Sequence, residues 1–368
     1  MRKFMMGLSV SLLFLGLVEA VLRVTMGPPS AAVQVYSGTR SHTAWFQEQN
    51  RRVTATYQHR STGSFPTHSR QARFAVLGGS SVHGGTMNVG HRGEFPNLLA
   101  QKTRVQGLNL GNPSLDSHDL LQIIDELRGY PMDAWVIYTG HNDFGNTYFH
   151  QRYKGWSGTT SAHVQGFLEG LCLFASLRKA IGLARGNTAK PNPKKQFSGP
   201  KIEKSQKIRA LNYFKRNMDR IVWLAKSEGV PLVLVVPIRD LRRAPLGDCG
   251  DESPCAVEIY DEAISMLESD PKGAWDRLKQ ASDADRIPLR ISSDAQAYLR
   301  SIAQEGVTVV DLPNLLADEQ GILPEGLFQD HVHLRPDGHR VVAQALAPFL
   351  TKALNSAADV QKDSVGIQ

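Results

Sequence analysis

Residues 74 to 85 read FAVLGGSSVHGG, an apolar stretch that runs into two glycines, two serines, a histidine and two more glycines. A loop this small after a buried strand could cradle a phosphate with backbone N–H groups, or thrust one serine out as a nucleophile. A cradle of the GxxxxGK[ST] kind needs a lysine to reach the phosphates, and this loop has none. A dinucleotide fingerprint needs GxGxxG, which Gly78, Gly79, Gly84 and Gly85 do not form. A serine nucleophile needs a base within hydrogen-bond reach, a group that orients the base, and donors for the developing oxyanion. Each can be named. In DHVHLRPDGH, Asp330 and His333 are separated by two residues. On a turn, that spacing lets the carboxylate hold one imidazole nitrogen while the other faces the serine. NLGNPS puts Gly111 just past a strand, where a backbone N–H can approach substrate with no side chain in the way. VIYTGHND puts Asn142 just past another, offering a side-chain amide.

These residues need a frame that brings them to one edge, and the pattern from Arg73 onward supplies one. Short apolar strands are expected at 74–77, 107–110, 134–138, 232–236 and 307–310, with amphipathic helices at 94–101, 120–128, 208–227, 294–304 and 340–350. Strand–helix alternation of this kind argues for a parallel sheet covered on both faces. Ligands of such sheets sit outside the carboxyl ends of the strands, where all four motifs fall.

GGSSVHG with Ser80, NLGNPS with Gly111, GHND with Asn142 and DHVH with Asp330 and His333 resemble, in order and type, the four blocks of the SGNH (GDSL-type) hydrolases. The resemblance runs from residue 73 to about residue 352, and extends to a membrane-anchored branch with a Gly-Gly-Ser block. It implies a flavodoxin-like three-layer α/β/α sandwich with a mainly parallel five-stranded sheet, and a serine esterase or acyltransferase that needs no cofactor. It also implies roles: Ser80 as nucleophile, His333 as base, Asp330 as its orienter, and an oxyanion hole from the Ser80 N–H, the Gly111 N–H and the Asn142 amide. Gly79 departs from the usual Gly-Asp-Ser by standing in the aspartate's place. Ser81 is the rival nucleophile, and alignment of the block on Gly84 favours Ser80. His331 and His333 form an HxH pair beside Asp330, but a catalytic metal wants a third protein ligand and leaves the serine loop without a purpose, so no metal is assigned. His83, His141 and His339 read as packing or capping residues, Asp143 as a brace for its loop, and Asp311 as a cap.

A chain of 368 residues, 41% of them hydrophobic, can bury a large core. Arg2 and Lys3 precede an apolar run from Phe4 to Val18, the layout of an export signal. Val18-Glu19-Ala20 is a poor cleavage site, so residues 1–24 read as a signal anchor in the cytoplasmic membrane, or else as a removed signal peptide. Residues 25–72 read as a polar stalk, 73–355 as the hydrolase domain with insertions near 149–207 and 239–290, and 356–368 as a tail. Cys249 and Cys255 are placed for a small disulfide loop in an oxidising compartment, and Cys172 reads as a buried hydrophobe. The formal charge of +7 is concentrated in the lysine-rich run 190–207, which lacks the interleaved aromatics of a nucleic-acid surface. The expected reaction is removal of short O-acyl groups, acetyl above all, from an envelope glycan or another small ester. The alternatives are an O-acyltransferase on the same residues and a silent, membrane-tethered glycan-binding domain. The expected location is the cell envelope, with the catalytic domain outside the cytoplasm or secreted after cleavage.

Overall fold

The computed structural model describes residues 2–28, 45–56, 64–69, 71–84, 93–149, 202–247, 249 and 254–365, with scattered positions between 160 and 177. The chain opens with helix α1 (Arg2–Met26) and a small antiparallel sheet of β1 (Phe46–Gln49), β2 (Arg52–Ala55) and β3 (Phe65–Pro66). The main domain follows: β4 (Arg73–Gly78), α2 (Ser80–His83), α3 (Phe95–Thr103), β5 (Gln106–Asn109), α4 (Ser117–Leu127), β6 (Ala134–Tyr138) and α5 (His141–Phe149). After the first insertion come α6 (Lys204–Ser227), β7 (Leu232–Val236), α7 (Ala256–Met266), α8 (Pro271–Ala284), α9 (Ser293–Ser301), β8 (Val307–Asp311), α10 (Leu312–Leu316) and α11 (Pro336–Val365).

The five-stranded sheet has the order β5-β4-β6-β7-β8, and every pairing is parallel. This is the flavodoxin-like three-layer sandwich expected. Its central strands are buried on both faces, so they read as continuous apolar runs whose residues alternate between two cores. Ala75, Leu77, Trp135, Ile137, Leu232 and Leu234 face the core under α4, α6 and α9. Phe74, Val76, Val136, Tyr138, Val233 and Val235 face the one under α3, α8 and α11. Burying a Val, Leu, Ile or Phe side chain in this way contributes about 1.5–3 kcal/mol, so the sheet is the stiff plate from which the site projects. Because β4 pairs with β5 on one side and β6 on the other, the loops leaving all three strands meet at one point of the carboxyl edge.

Several boundaries differ from the reading of the sequence. The segment taken as a polar stalk holds β1–β3, whose Phe46, Val53 and Phe65 join the core. Arg73 ties this sheet to β4, its guanidinium donating to the carbonyls of Pro66 and Pro131 at 2.6 and 2.5 Å. The insertion near 239–290 contains α7, α8 and the disulfide Cys249–Cys255, with Cα atoms 5.0 Å apart. The segment read as a tail continues α11 to Val365. Most of the 149–207 insertion, the lysine-rich 190–201 included, lies outside the described residues. Among the described residues no helix is long and apolar enough to cross a membrane, so the expected span is not shown. What α1 presents is a helix whose Leu12, Leu13, Phe14 and Leu17 are exposed. Its far end is fastened: Glu19 accepts from the N–H groups of Cys172 and Leu173 at 2.9 and 3.0 Å, and Arg23 donates to the Gly170 carbonyl at 2.5 Å.

Candidate active site

Strand β4 ends at Gly78, and after Gly79 the chain turns directly into the short helix α2, whose first residue is Ser80. The Ser80 Oγ lies 2.7 Å from His333 Nε2, and His333 Nδ1 lies 2.6 Å from Asp330 Oδ2. The other carboxylate oxygen of Asp330 accepts from the N–H groups of Val332 and His333 at 3.0 and 2.8 Å. An ionised carboxylate can only accept, so Nδ1 carries the imidazole proton and Nε2 is left to accept from the Ser80 hydroxyl. Burial alone would raise the Asp330 pKa. The hydrogen bond from His333 and those from the Val332 and His333 N–H groups overcome that and hold it at about 2.

The loop that carries this pair is clamped at its base. Phe328 and Leu334 form an antiparallel bridge, and the Gln329 and Arg335 N–H groups donate to His333 and Leu327 carbonyls at 3.0 and 2.8 Å. Ser81 closes it from the α2 side: its hydroxyl is buried and donates to the Val332 carbonyl at 3.1 Å. The two adjacent serines therefore hold different places, Ser80 against the imidazole and Ser81 under the loop. His331 turns away, its Nε2 lying 3.0 Å from the Ala244 carbonyl rather than beside His333. His141 and His339 are buried and accept from the Ile291 and Phe95 N–H groups at 3.1 and 3.2 Å. Desolvation, with the nearby His333 adding to it, pushes their pKa values down to about 3 and about 4, so neither carries charge next to the relay at neutral pH.

The opposite wall of the cleft is made by the loops after β5 and β6. Asn142 Nδ2 donates to the Leu115 carbonyl at 2.7 Å, leaving its second N–H uncommitted to that bond. Four residues on, Asn146 Nδ2 reaches the Ser114 carbonyl at 3.1 Å and the Asp116 carboxylate at 2.8 Å. Asp143, fully buried, accepts from the Ser117 N–H at 3.2 Å and from its hydroxyl at 2.5 Å. Asp143 thus braces the two loops against each other, as expected, and Asn217 of α6 adds a bond to the Ser117 hydroxyl at 2.9 Å.

Gly111 requires a correction. Its N–H donates to Asn109 Oδ1 at 3.0 Å, and a Cβ on it would meet the His83 nitrogen at 2.6 Å and Val82 Cβ at 2.7 Å. It is glycine so that α2 can pack on the β5 loop, and its N–H is directed to Asn109 rather than into the cleft. The residue of this loop that lines the cleft is Leu115, together with Thr139, Gly140 and His141 from the next. Sequence reasoning missed Leu115 because the first glycine after the strand drew the assignment, and it read His141 only as a packing or capping residue. The Asn112-Pro113 turn that carries the chain further was the available signal. The cleft beside Ser80 is open to solvent and is lined also by Gly79, Ser81, Tyr138 and Asn142.

No curated protein matches this sequence. Among solved structures it is similar to a GDSL-like lipase from Bacteroides thetaiotaomicron, at 14% identity over 77% of this chain and 88% of the other, with a TM-score of 0.36. It is also similar to a member of the lipolytic protein G-D-S-L family from Veillonella parvula, at 11% identity over 75% and 96% of the two chains, TM-score 0.35. A third similarity is to a catalytic mutant of an acetylxylan esterase from Geobacillus stearothermophilus, at 12% identity over 78% and 95%, TM-score 0.37. Residues 76–341 match the GDSL-like lipase/acylhydrolase family, a stretch that holds the sheet, the serine turn and the Asp330–His333 loop. The chain belongs to the GDSL-like lipase/acylhydrolase family and is a carboxylic ester hydrolase.

Proposed function

We propose that the chain cleaves short O-acyl groups, acetyl above all, from a glycan of the cell envelope through an acyl-Ser80 intermediate. The observation that carries this reading is the 2.7 Å approach of Ser80 Oγ to His333 Nε2, with Asp330 behind it. Ser80 Oγ attacks the ester carbonyl carbon while its proton passes to His333 Nε2. The negative charge that gathers on the carbonyl oxygen is met by the Ser80 N–H, which as the first of its helix has no partner within α2, and by the second N–H of Asn142. The tetrahedral intermediate collapses with cleavage of the carbonyl carbon–alkoxy bond, and His333 Nε2–H protonates the departing alcohol. Water then attacks the acyl-Ser80 carbonyl, gives a proton to His333 and releases the acid, and that proton returns to Ser80. Asp330 stays ionised throughout, holding the Nδ1–H.

The short-acyl reading is supported by the lining of the cleft, where small and polar residues, Gly79, Ser81, Thr139, Gly140 and Asn142, surround Ser80. Location in the envelope is supported by the Cys249–Cys255 disulfide, a bond kept in oxidising compartments, and by the charged-then-apolar start of the chain. The exposed apolar side chains of α1 are the surface by which it would stay with a membrane. The test uses the full chain, isolated with the membrane fraction, against p-nitrophenyl esters of increasing length and an O-acetylated polysaccharide. Acetate and butyrate esters should turn over faster than octanoate, and free acetate should appear from the polysaccharide. Fastest turnover of the longest chains with no acetate released would overturn the substrate, and recovery of the protein only in the soluble fraction would overturn the attachment.

A further inference from the structure

Gly79 stands at the N-cap of α2, where Asp, Ser or Asn would ordinarily be favoured because their side chains bond the free N–H groups of the helix. Its backbone does not call for glycine: φ −83° and ψ −152° are ordinary extended values. The reason lies in the space beside it. A Cβ on residue 79 would sit 2.3 Å from Asn142 Nδ2, 3.4 Å from Asn142 Cγ and 3.3 Å from the Leu115 oxygen. The carboxamide of Asn142 therefore occupies the volume that any other residue at 79 would fill. The same Nδ2 donates to the Leu115 carbonyl at 2.7 Å, so an amide that moves away from a Cβ at 79 gives up that bond.

We infer that Gly79 is the positioning residue for Asn142, its missing side chain forming the seat that holds the Asn142 amide at the cleft beside Ser80. Three loops meet at this seat: Gly79 from β4, Leu115 from the loop after β5, and Asn142 from the start of α5. Any side chain at 79 pushes the amide out of the seat, breaks its bond to Leu115 and moves its remaining N–H away from the place where the oxyanion forms. The departure from Gly-Asp-Ser at this position is then a requirement of this chain's site. Gly79→Asp, which writes the more usual residue into the block, should lower activity rather than raise it. The inference rests on the reading of Asn142 as an oxyanion donor, and the experiment separates the two.

The experiment is steady-state hydrolysis of p-nitrophenyl acetate by the full chain carrying Gly79→Ala, Asn142→Ala or both, with the melting temperature of each. Loss of one oxyanion donor costs about 10²–10³ in kcat. Asn142→Ala should lose that much with KM within about threefold, the signature of an interaction made only in the transition state. Gly79→Ala should lose a similar factor with the same split, and the double variant should be no slower than Asn142→Ala alone, because the group that the added methyl displaces is already gone. Wild-type kcat in Asn142→Ala would overturn the donor reading. A slow Asn142→Ala beside an unaffected Gly79→Ala, or a double variant slower by the product of the two losses, would overturn the role of Gly79 and leave the donor reading standing. If Gly79→Ala fails to fold, the double variant should fold and match Asn142→Ala, since deletion of the carboxamide opens the room; a double variant that also fails to fold would overturn the inference.

Discussion

The wall that carries Asp330 and His333 is one short loop, whereas the wall that carries Asn142 is assembled from three. On the relay side, the Asp330 carboxylate accepts from two N–H groups of its own loop and from the imidazole it orients. The pair needs no other element to give it shape, only the Phe328–Leu334 bridge at its base and Ser81 at its side. On the oxyanion side, Asn142 is placed by the Leu115 carbonyl and the room left at Gly79, and the loops that bring these together are themselves held by Asp143, Asn146 and Asn217. A motif that orders itself locally can be recognised by spacing. One that depends on how three loops pack shows its amide in GHND but not the partners that place it.

The contrast sets an order of effects. His333→Ala removes both the base and the acid and should lower kcat by about 10⁵–10⁶, with Asp330→Asn costing less, about 10⁴, because part of the imidazole stays correctly placed. Asn142→Ala should cost only about 10²–10³, since the Ser80 N–H remains. Kinetics of the three variants on one ester check the ranking, and an Asn142 variant as damaged as the His333 variant would break the comparison.

That division explains what the sequence could and could not tell. Asp330 and His333 sit three residues apart, and their relation was readable from DHVH alone. Strands β4, β6, β7 and β8 were readable as runs of mostly apolar residues, and β5 from GLNL, all within one or two positions of where the chain forms them. The β1–β3 sheet was not, because its strands are four residues or fewer and only Phe46, Val53, Ala55 and Phe65 point inward, too few to establish a period. α5 was missed for a related reason, since HNDFGNTYF carries polar residues whose task is to lace loops together rather than to form an apolar face. Gly111 was assigned to the oxyanion because glycine after a strand suggests open backbone. In the folded chain its bareness serves the packing of α2, a contact between residues 82 and 111 that no local pattern encodes.

A smaller effect concerns stability around the relay. The buried His141 and His339 stay neutral down to about pH 3 and about pH 4, whereas in the unfolded chain they take up protons near the ordinary 6.5. A base whose pKa is lowered by folding contributes stability that is present above its unfolded value and is lost as pH falls toward its folded one. Urea midpoints should therefore decline steadily from about pH 7 to about pH 4, and His339→Gln should flatten part of that decline. A midpoint that holds constant across this range would show that neither imidazole is sequestered as placed.

The central claim is that Ser80, and not its neighbour, is the nucleophile. Reaction of the full chain with a fluorophosphonate, followed by digestion and mass analysis of the peptide that carries the serine pair, tests it directly. The adduct should lie on Ser80, vanish in Ser80→Ala and persist in Ser81→Ala, whose lost bond to the Val332 carbonyl loosens the relay loop without removing the reacting hydroxyl. An adduct on Ser81, or labelling that survives Ser80→Ala, would contradict the account.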